Sequence, residues 1–163
     1  MSRAERLQKF QTACGYTFKN VTLLEEALTH DSNRVNNRDA PTYQRLEFLG
    51  DSVLNLVVSE YLYRNNASFT EGQLTTKRSE LTNANKQSQI AEKHALKAYI
   101  LLGQSVSIDQ YRGHHCFVES VIGAVYIDGG LEEARKLILK FWGFTDDTNT
   151  ASSASAGNSC VLS

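Results

Sequence analysis

Apolar residues recur along this chain at spacings of three and four, and nowhere alternate strictly with polar ones. The first pattern is the period of a helix with one buried face, whereas alternation would mark a strand. The chain is therefore predicted to be all-α. Ala4 to Cys14 carries Leu7, Phe10 and Ala13 at helical spacing, with Gly15 placed as its stop. Asn20 can cap a second helix, Val21 to Thr29, whose buried stripe is Leu23, Leu24, Ala27 and Leu28. The polar run from Asn33 to Thr42 holds the only proline and is predicted as a loop.

A long helix is predicted from about Tyr43 to Asn65. Leu46, Leu49, Val53, Leu56 and Val57 form one stripe on it, and Phe48, Leu54, Val58, Tyr61 and Leu62 a second. Two stripes describe a central axis covered on several sides rather than a surface helix. Thr70-Glu71-Gly72-Gln73 opens a capped helix reaching about Leu81, with Leu74 and Leu81 inward and Lys77 and Arg78 on its surface. Thr82 or Asn83 can cap Ala84 to His94, Tyr99 to Gly103 is a short apolar piece, and Gln104 to Gly113 reads as loop. His114 to Asp128 is apolar nearly all round, Gly129-Gly130 breaks it, and Leu131 to Trp142 is a last amphipathic helix.

Composition narrows the class. With 163 residues, one proline and 41% apolar residues, the chain suits one compact domain over residues 1–144, followed by a tail at 145–163 rich in Ser, Thr, Ala and Asn. No stretch approaches the ~18 consecutive apolar residues of a spanning helix, and the start is too polar for a signal peptide. An intracellular protein of cytoplasm or nucleus is expected. Cys14, Cys116 and Cys160 are odd in number and widely spaced, as in a reducing compartment. Seventeen basic residues against eighteen acidic ones leave no overall attraction for a polyanion, so any such partner must be held locally.

Three carboxylates sit where apolar helices have no use for them. Glu47 and Asp51 are one turn apart on the central helix, and Gln44 lies one turn earlier. Glu119 interrupts the apolar run of Phe117, Val118, Val121 and Ile122. Unpaired, such groups cost several kcal/mol when buried, so the spacing predicts a shared hard cation. Ordinary ion pairs with Arg45, Lys77 or Arg78 are the alternative. His114-His115-Cys116 lacks the spacing of a zinc site.

The run Arg45-Leu46-Glu47-Phe48-Leu49-Gly50-Asp51-Ser52-Val53-Leu54 resembles the signature of the ribonuclease III family, the Mg²⁺-dependent endonucleases of double-stranded RNA. Three further stretches follow in that family's order: Leu7 to Ser32, Glu71-Gly72-Gln73-Leu74, and Val118 to Gly130. The resemblance implies an all-α helical bundle around the long helix, with Glu47, Asp51 and Glu119 as catalytic and metal-binding carboxylates for Mg²⁺ or Mn²⁺. Gln44 stands where many members have a glutamate, and Cys116 where the family has an aspartate. A neutral thiol is a poor ligand for a hard cation.

The chemistry so implied is metal-assisted hydrolysis of a phosphodiester, leaving a 5′ phosphate and a 3′ hydroxyl. The family acts as a homodimer, and Phe48 corresponds to its dimer plug; plain core packing is the other reading of Phe48. Lys77, Arg78, Lys86 and Arg112 are the candidate phosphate contacts. A double-stranded-RNA-binding domain, common in the family, does not follow, so an RNA-binding partner protein is expected to help. A catalytically impaired, dimerising subunit of an RNA-processing or ribosomal complex is the second reading. Cys160-Val161-Leu162-Ser163 matches a farnesylation box, and Cys160 would then tether the chain reversibly to a membrane.

Overall fold

The computed structural model describes residues 1–35 and 37–145. Among these residues the chain is all-helical. Its elements are α1 (Arg3–Cys14), α2 (Val21–Ala27), α3 (Gln44–Asn65), α4 (Glu71–Thr82), α5 (Ala84–Lys93), α6 (Cys116–Gly129) and α7 (Leu131–Trp142). Short 3-10 turns occupy Asp31–Val35 and Leu96–Ala98. No helix among the described residues is long and apolar enough to cross a membrane.

Local sequence explains several boundaries. Ser2 and Glu5 close a capping box on α1, and Thr70 and Gln73 close another on α4, each satisfying two backbone N–H groups that a helix start leaves free. Asn20 caps α2 and Asn83 caps α5. Gly15 and Gly143 end α1 and α7 in the left-handed region, at φ 79° and 70°.

The bundle is built on α3 and α6, which run against each other over most of their length. Leu54, Val57 and Val58 of α3 and Val118, Val121 and Ile122 of α6 are fully buried. Each such side chain contributes about 1.5–3 kcal/mol relative to exposure. The remaining helices cover this pair. Ser120 Oγ donates to Ala27 O at 2.6 Å and joins α6 to α2. Trp142 Nε1 donates to Leu81 O at 2.8 Å and joins α7 to α4.

Four expectations are corrected. The second helix ends at Ala27 because Leu28 and His30 bond across to Leu101, at 2.8 and 2.9 Å. The segment after it begins with a 3-10 turn instead of open loop. Phe48 and Leu56 do not complete the inward stripes: they are 80% and 54% exposed, since no described element covers that side of α3. The α4 helix buries none of its residues fully, so Leu74 and Leu81 only rest against the core. Cys14, by contrast, is buried as a small apolar residue. Cys160 and the tail from 146 lie outside the described residues.

Candidate functional site

Two glycines set the geometry of the α3–α6 crossing. A Cβ on Gly50 would stand 1.7 Å from Glu119 O, and one on Gly123 would stand 2.2 Å from Leu46 O. Backbone meets backbone at both points, which only glycine permits. Glu47 and Asp51 flank Gly50 on α3, and Glu119 lies one turn before Gly123 on α6. The three acids expected from the sequence are thereby brought to one crossing. No ion pair among the described residues includes any of them.

The alternative of neutralising bases therefore finds no support in the geometry. Lys77 pairs with Glu80 at 3.0 Å, and half-buried Arg78 donates to Ser59 Oγ at 3.0 Å. Arg45 is exposed and lines a shallow depression with Gln44, Phe48, Leu49 and Ile127. Lys86 is half-buried in the first turn of α5. Arg112 is exposed, and its guanidinium donates to Asp109 O at 2.7 Å, in the loop before α6.

Electrostatics marks Glu119. Burial pushes its carboxyl up to about 7, and the charges of Asp51 and Glu47 add to the rise, against the Gln87 amide that hydrogen-bonds Glu119 Oε1 and favours the charged form. Asp51 is exposed and accepts from Asn55 Nδ2 at 2.9 Å. Cys116 lies beside this group. Burial, a hydrogen bond with Glu47, and the charges of Glu47 and Glu119 push its thiol up to about 12, so it is protonated at neutral pH. It therefore stands near Glu47 as a neutral group rather than as a further anion.

The fit to a divalent cation follows from these charges. Three acids with no cationic partner among the described residues, one of them held back from ionising by burial first and by the other two acids next, suit a divalent cation. Its ligand cage is not preassembled: among the described residues no three His, Cys, Asp or Glu side chains group tightly enough to hold an ion. The three acids share the crossing without forming a closed cage.

Two neighbours went unread in the sequence. Gln87 is only 3% exposed and donates to both Thr82 O and Glu119 Oε1. Its signal was present: it takes the inward position one turn before Ile90 and Ala91. An aromatic stack also supports the site, with His30 over Tyr43 at 5.6 Å and Tyr43 over Phe117 at 4.6 Å. It holds together the starts of α3 and α6, neither of which has a side-chain cap.

Comparison with known proteins is consistent with this arrangement. The family described as Ribonuclease-III-like matches residues 20–143. Ribonuclease 3 of Sinorhizobium fredii is 40% identical over 93% of this chain and 63% of its own length, and that of Nitratiruptor is 39% identical over 83% and 60%. The chain thus spans about three-fifths of the curated relatives it matches. A solved nuclease domain of ribonuclease III from Campylobacter jejuni superposes with a TM-score of 0.74 at 32% identity, covering 83% of this chain and 95% of that one. The Dicer structure from Pichia stipitis matches at 0.58 and 28% identity, over 77% and 55%. With a matching family model over residues 20–143, relatives about 40% identical over most of its length and a superposable nuclease domain, the chain belongs to the ribonuclease III family.

Proposed function

We propose that this chain is the catalytic domain of a divalent-metal-dependent endoribonuclease that cuts double-stranded RNA as a homodimer, leaving 5′ phosphate and 3′ hydroxyl ends. The observation that carries the reading is the gathering of Glu47, Asp51 and Glu119 at one helix crossing, with no ion-pair partner among the described residues. Glu47, Asp51 and Glu119 would hold Mg²⁺ or Mn²⁺, with the RNA phosphate completing the shell. When bound, the cation supplies charge stabilisation at the phosphoryl oxygens and acidifies a water.

The chain's own groups have defined tasks. Glu119, near neutrality in its titration, passes from proton-bearing to anionic as the site becomes positive. Exposed Asp51 is free to turn toward a water at the scissile phosphate. Gln87 keeps Glu119 oriented, and Gln44 offers a neutral hydrogen-bonding edge one turn from Glu47. Lys77, Arg78, Lys86 and Arg112 are assigned to phosphates of the duplex, a contact by backbone and shape.

Phe48 is assigned to the homodimer. It is 80% exposed beside Leu49 and Ile127, and a large apolar ring in that position needs a partner surface. The Campylobacter nuclease domain has a region involved in dimer formation. RNA affinity would come in part from a separate RNA-binding module.

One observation favours a second reading, a catalytically impaired dimerising subunit. The Cys116 thiol, which burial keeps protonated at neutral pH, cannot serve a hard cation as an aspartate would. A single cleavage assay separates the two, using double-stranded RNA with Mg²⁺ or Mn²⁺ and wild type, Glu119→Gln and Cys116→Asp. The nuclease reading expects cleavage by wild type, lost at least about 100-fold in Glu119→Gln. Cleavage appearing only after Cys116→Asp sinks that reading and establishes the impaired subunit.

A further inference from the structure

Away from the acids, a cavity of about 860 Å³ opens between α1, α5 and the segments before α6. Its size is that of a pocket for a small organic molecule. Arg6, Lys97, Arg112 and His114 stand on its wall, with Glu92 as the only carboxylate there. Lys97 is partly neutralised by Asp109 at 2.9 Å, whereas Arg6 and Arg112 have no carboxylate partner among the described residues. The wall is therefore net positive.

Two of these residues are under-satisfied. Arg6 Nε and His114 Nε2 are out of reach of solvent and have no hydrogen-bond partner. Buried polar nitrogens in that state are uncommon and call for an explanation. The rest of the wall is apolar, from Ala91, Ala98, Ile100 and Ile108, with the Ser88 hydroxyl at its edge. A further sign of a constrained site is Ala95, which lines the cavity with φ 51°, a left-handed conformation rare for a residue with a Cβ. It turns the chain from α5 into the Leu96–Ala98 turn, and both flanks of that bend contribute to the wall.

We propose that this cavity binds a nucleotide, its phosphate held by Arg6 and Arg112 and its base laid against the Ala98, Ile100 and Ile108 wall. An inorganic anion alone would leave that apolar wall empty, and an uncharged ring would leave the basic wall unpaired. Glu92 and Ser88 are available to the ribose hydroxyls or an exocyclic amine. The site uses none of the three acids and does not depend on the nuclease reading; Arg112 is the one residue it shares with the proposed duplex contacts. The same chemistry is carried by a free nucleotide and by the phosphorylated end of a single strand.

Calorimetric titration of the full chain with adenosine 5′-monophosphate is the test. Saturable binding is expected, with adenosine and inorganic phosphate each at least tenfold weaker. Arg6→Gln should weaken it at least tenfold, and so should Ala98→Trp, which fills the cavity from an exposed position. Thermal melts of both variants confirm that they are folded. Competition by a 5′-phosphorylated single strand, absent for its dephosphorylated twin, would assign the strand end as the source; no competition by either would assign the free nucleotide. Absence of saturation overturns the proposal, as does binding unchanged in folded Arg6→Gln and Ala98→Trp, or inorganic phosphate binding as tightly as the nucleotide. The readout is binding alone, so it separates cleanly from failure of the cleavage assay.

Discussion

Helices α6 and α4 solve the same problem by opposite means. Eight residues of α6 are buried and it starts without a side-chain cap, so packing against α3 holds it in place. The α4 helix buries none of its residues and is held by its capping box and by hydrogen bonds to Ser59 and from Trp142. The acids ride on the packed pair, and Lys77 and Arg78 ride on the loosely held one. A site that must align reacting groups belongs on rigid elements, whereas contacts to a phosphate backbone tolerate adjustment.

The sharpest way to break this contrast is Gly50→Ala. The added methyl would meet Glu119 O at 1.7 Å, so α3 and α6 must separate. A loss of about 3 kcal/mol is expected, the upper end of what overpacking costs. Urea denaturation measures it, and an unchanged midpoint would refute the account of the crossing. On α4, Thr70→Ala removes half of the capping box and should cost about 1 kcal/mol. Because nothing on α4 is fully buried, amide exchange should quicken there first and leave α6 protected.

Glu119 sharpens the comparison through pH. Its folded-state pKa is raised, by burial first and by Asp51 and Glu47 next. The folded state therefore binds a proton that the unfolded state releases, and stability falls as pH rises from the ordinary glutamate range through about 7. Stability curves of wild type and Glu119→Gln should diverge over that window, with the variant gaining relative to wild type above it. Parallel curves would show that Glu119 is not held as described.

The smallest stability effect belongs to Lys77→Gln, which removes only an exposed pair with Glu80. Denaturation should move within about 0.5 kcal/mol. If α4 contacts duplex phosphates, RNA affinity should fall, and the slope of log K against log salt should lessen by about 1. A variant that binds RNA with an unchanged slope removes Lys77 from the interface.

Much of this molecule was legible along the chain. Leu131 to Trp142 matched its observed helix at both ends, and the long axis was placed to within a residue at its start, because hydrophobic period and cap residues are local signals. The three acids stood out because a carboxylate amid apolar residues is anomalous wherever the chain folds. Phe48 and Leu56 misled because helical period describes which residues share a face and is silent on whether a neighbour covers it. The inward position of Gln87 was legible from Ile90 and Ala91 one turn on, but its hydrogen bond to Glu119, far along the chain, has no local signature.

The sequence by itself determined the all-α class, the order of the helices, the family and the identity of the acids, since each rests on residue type and near spacing. Tertiary structure alone shows that Gly50 and Gly123 let α3 and α6 touch, that no described base pairs with the acids, and that burial keeps the Cys116 thiol protonated. Those facts depend on distances between residues remote in the chain and on the dielectric that packing creates around them.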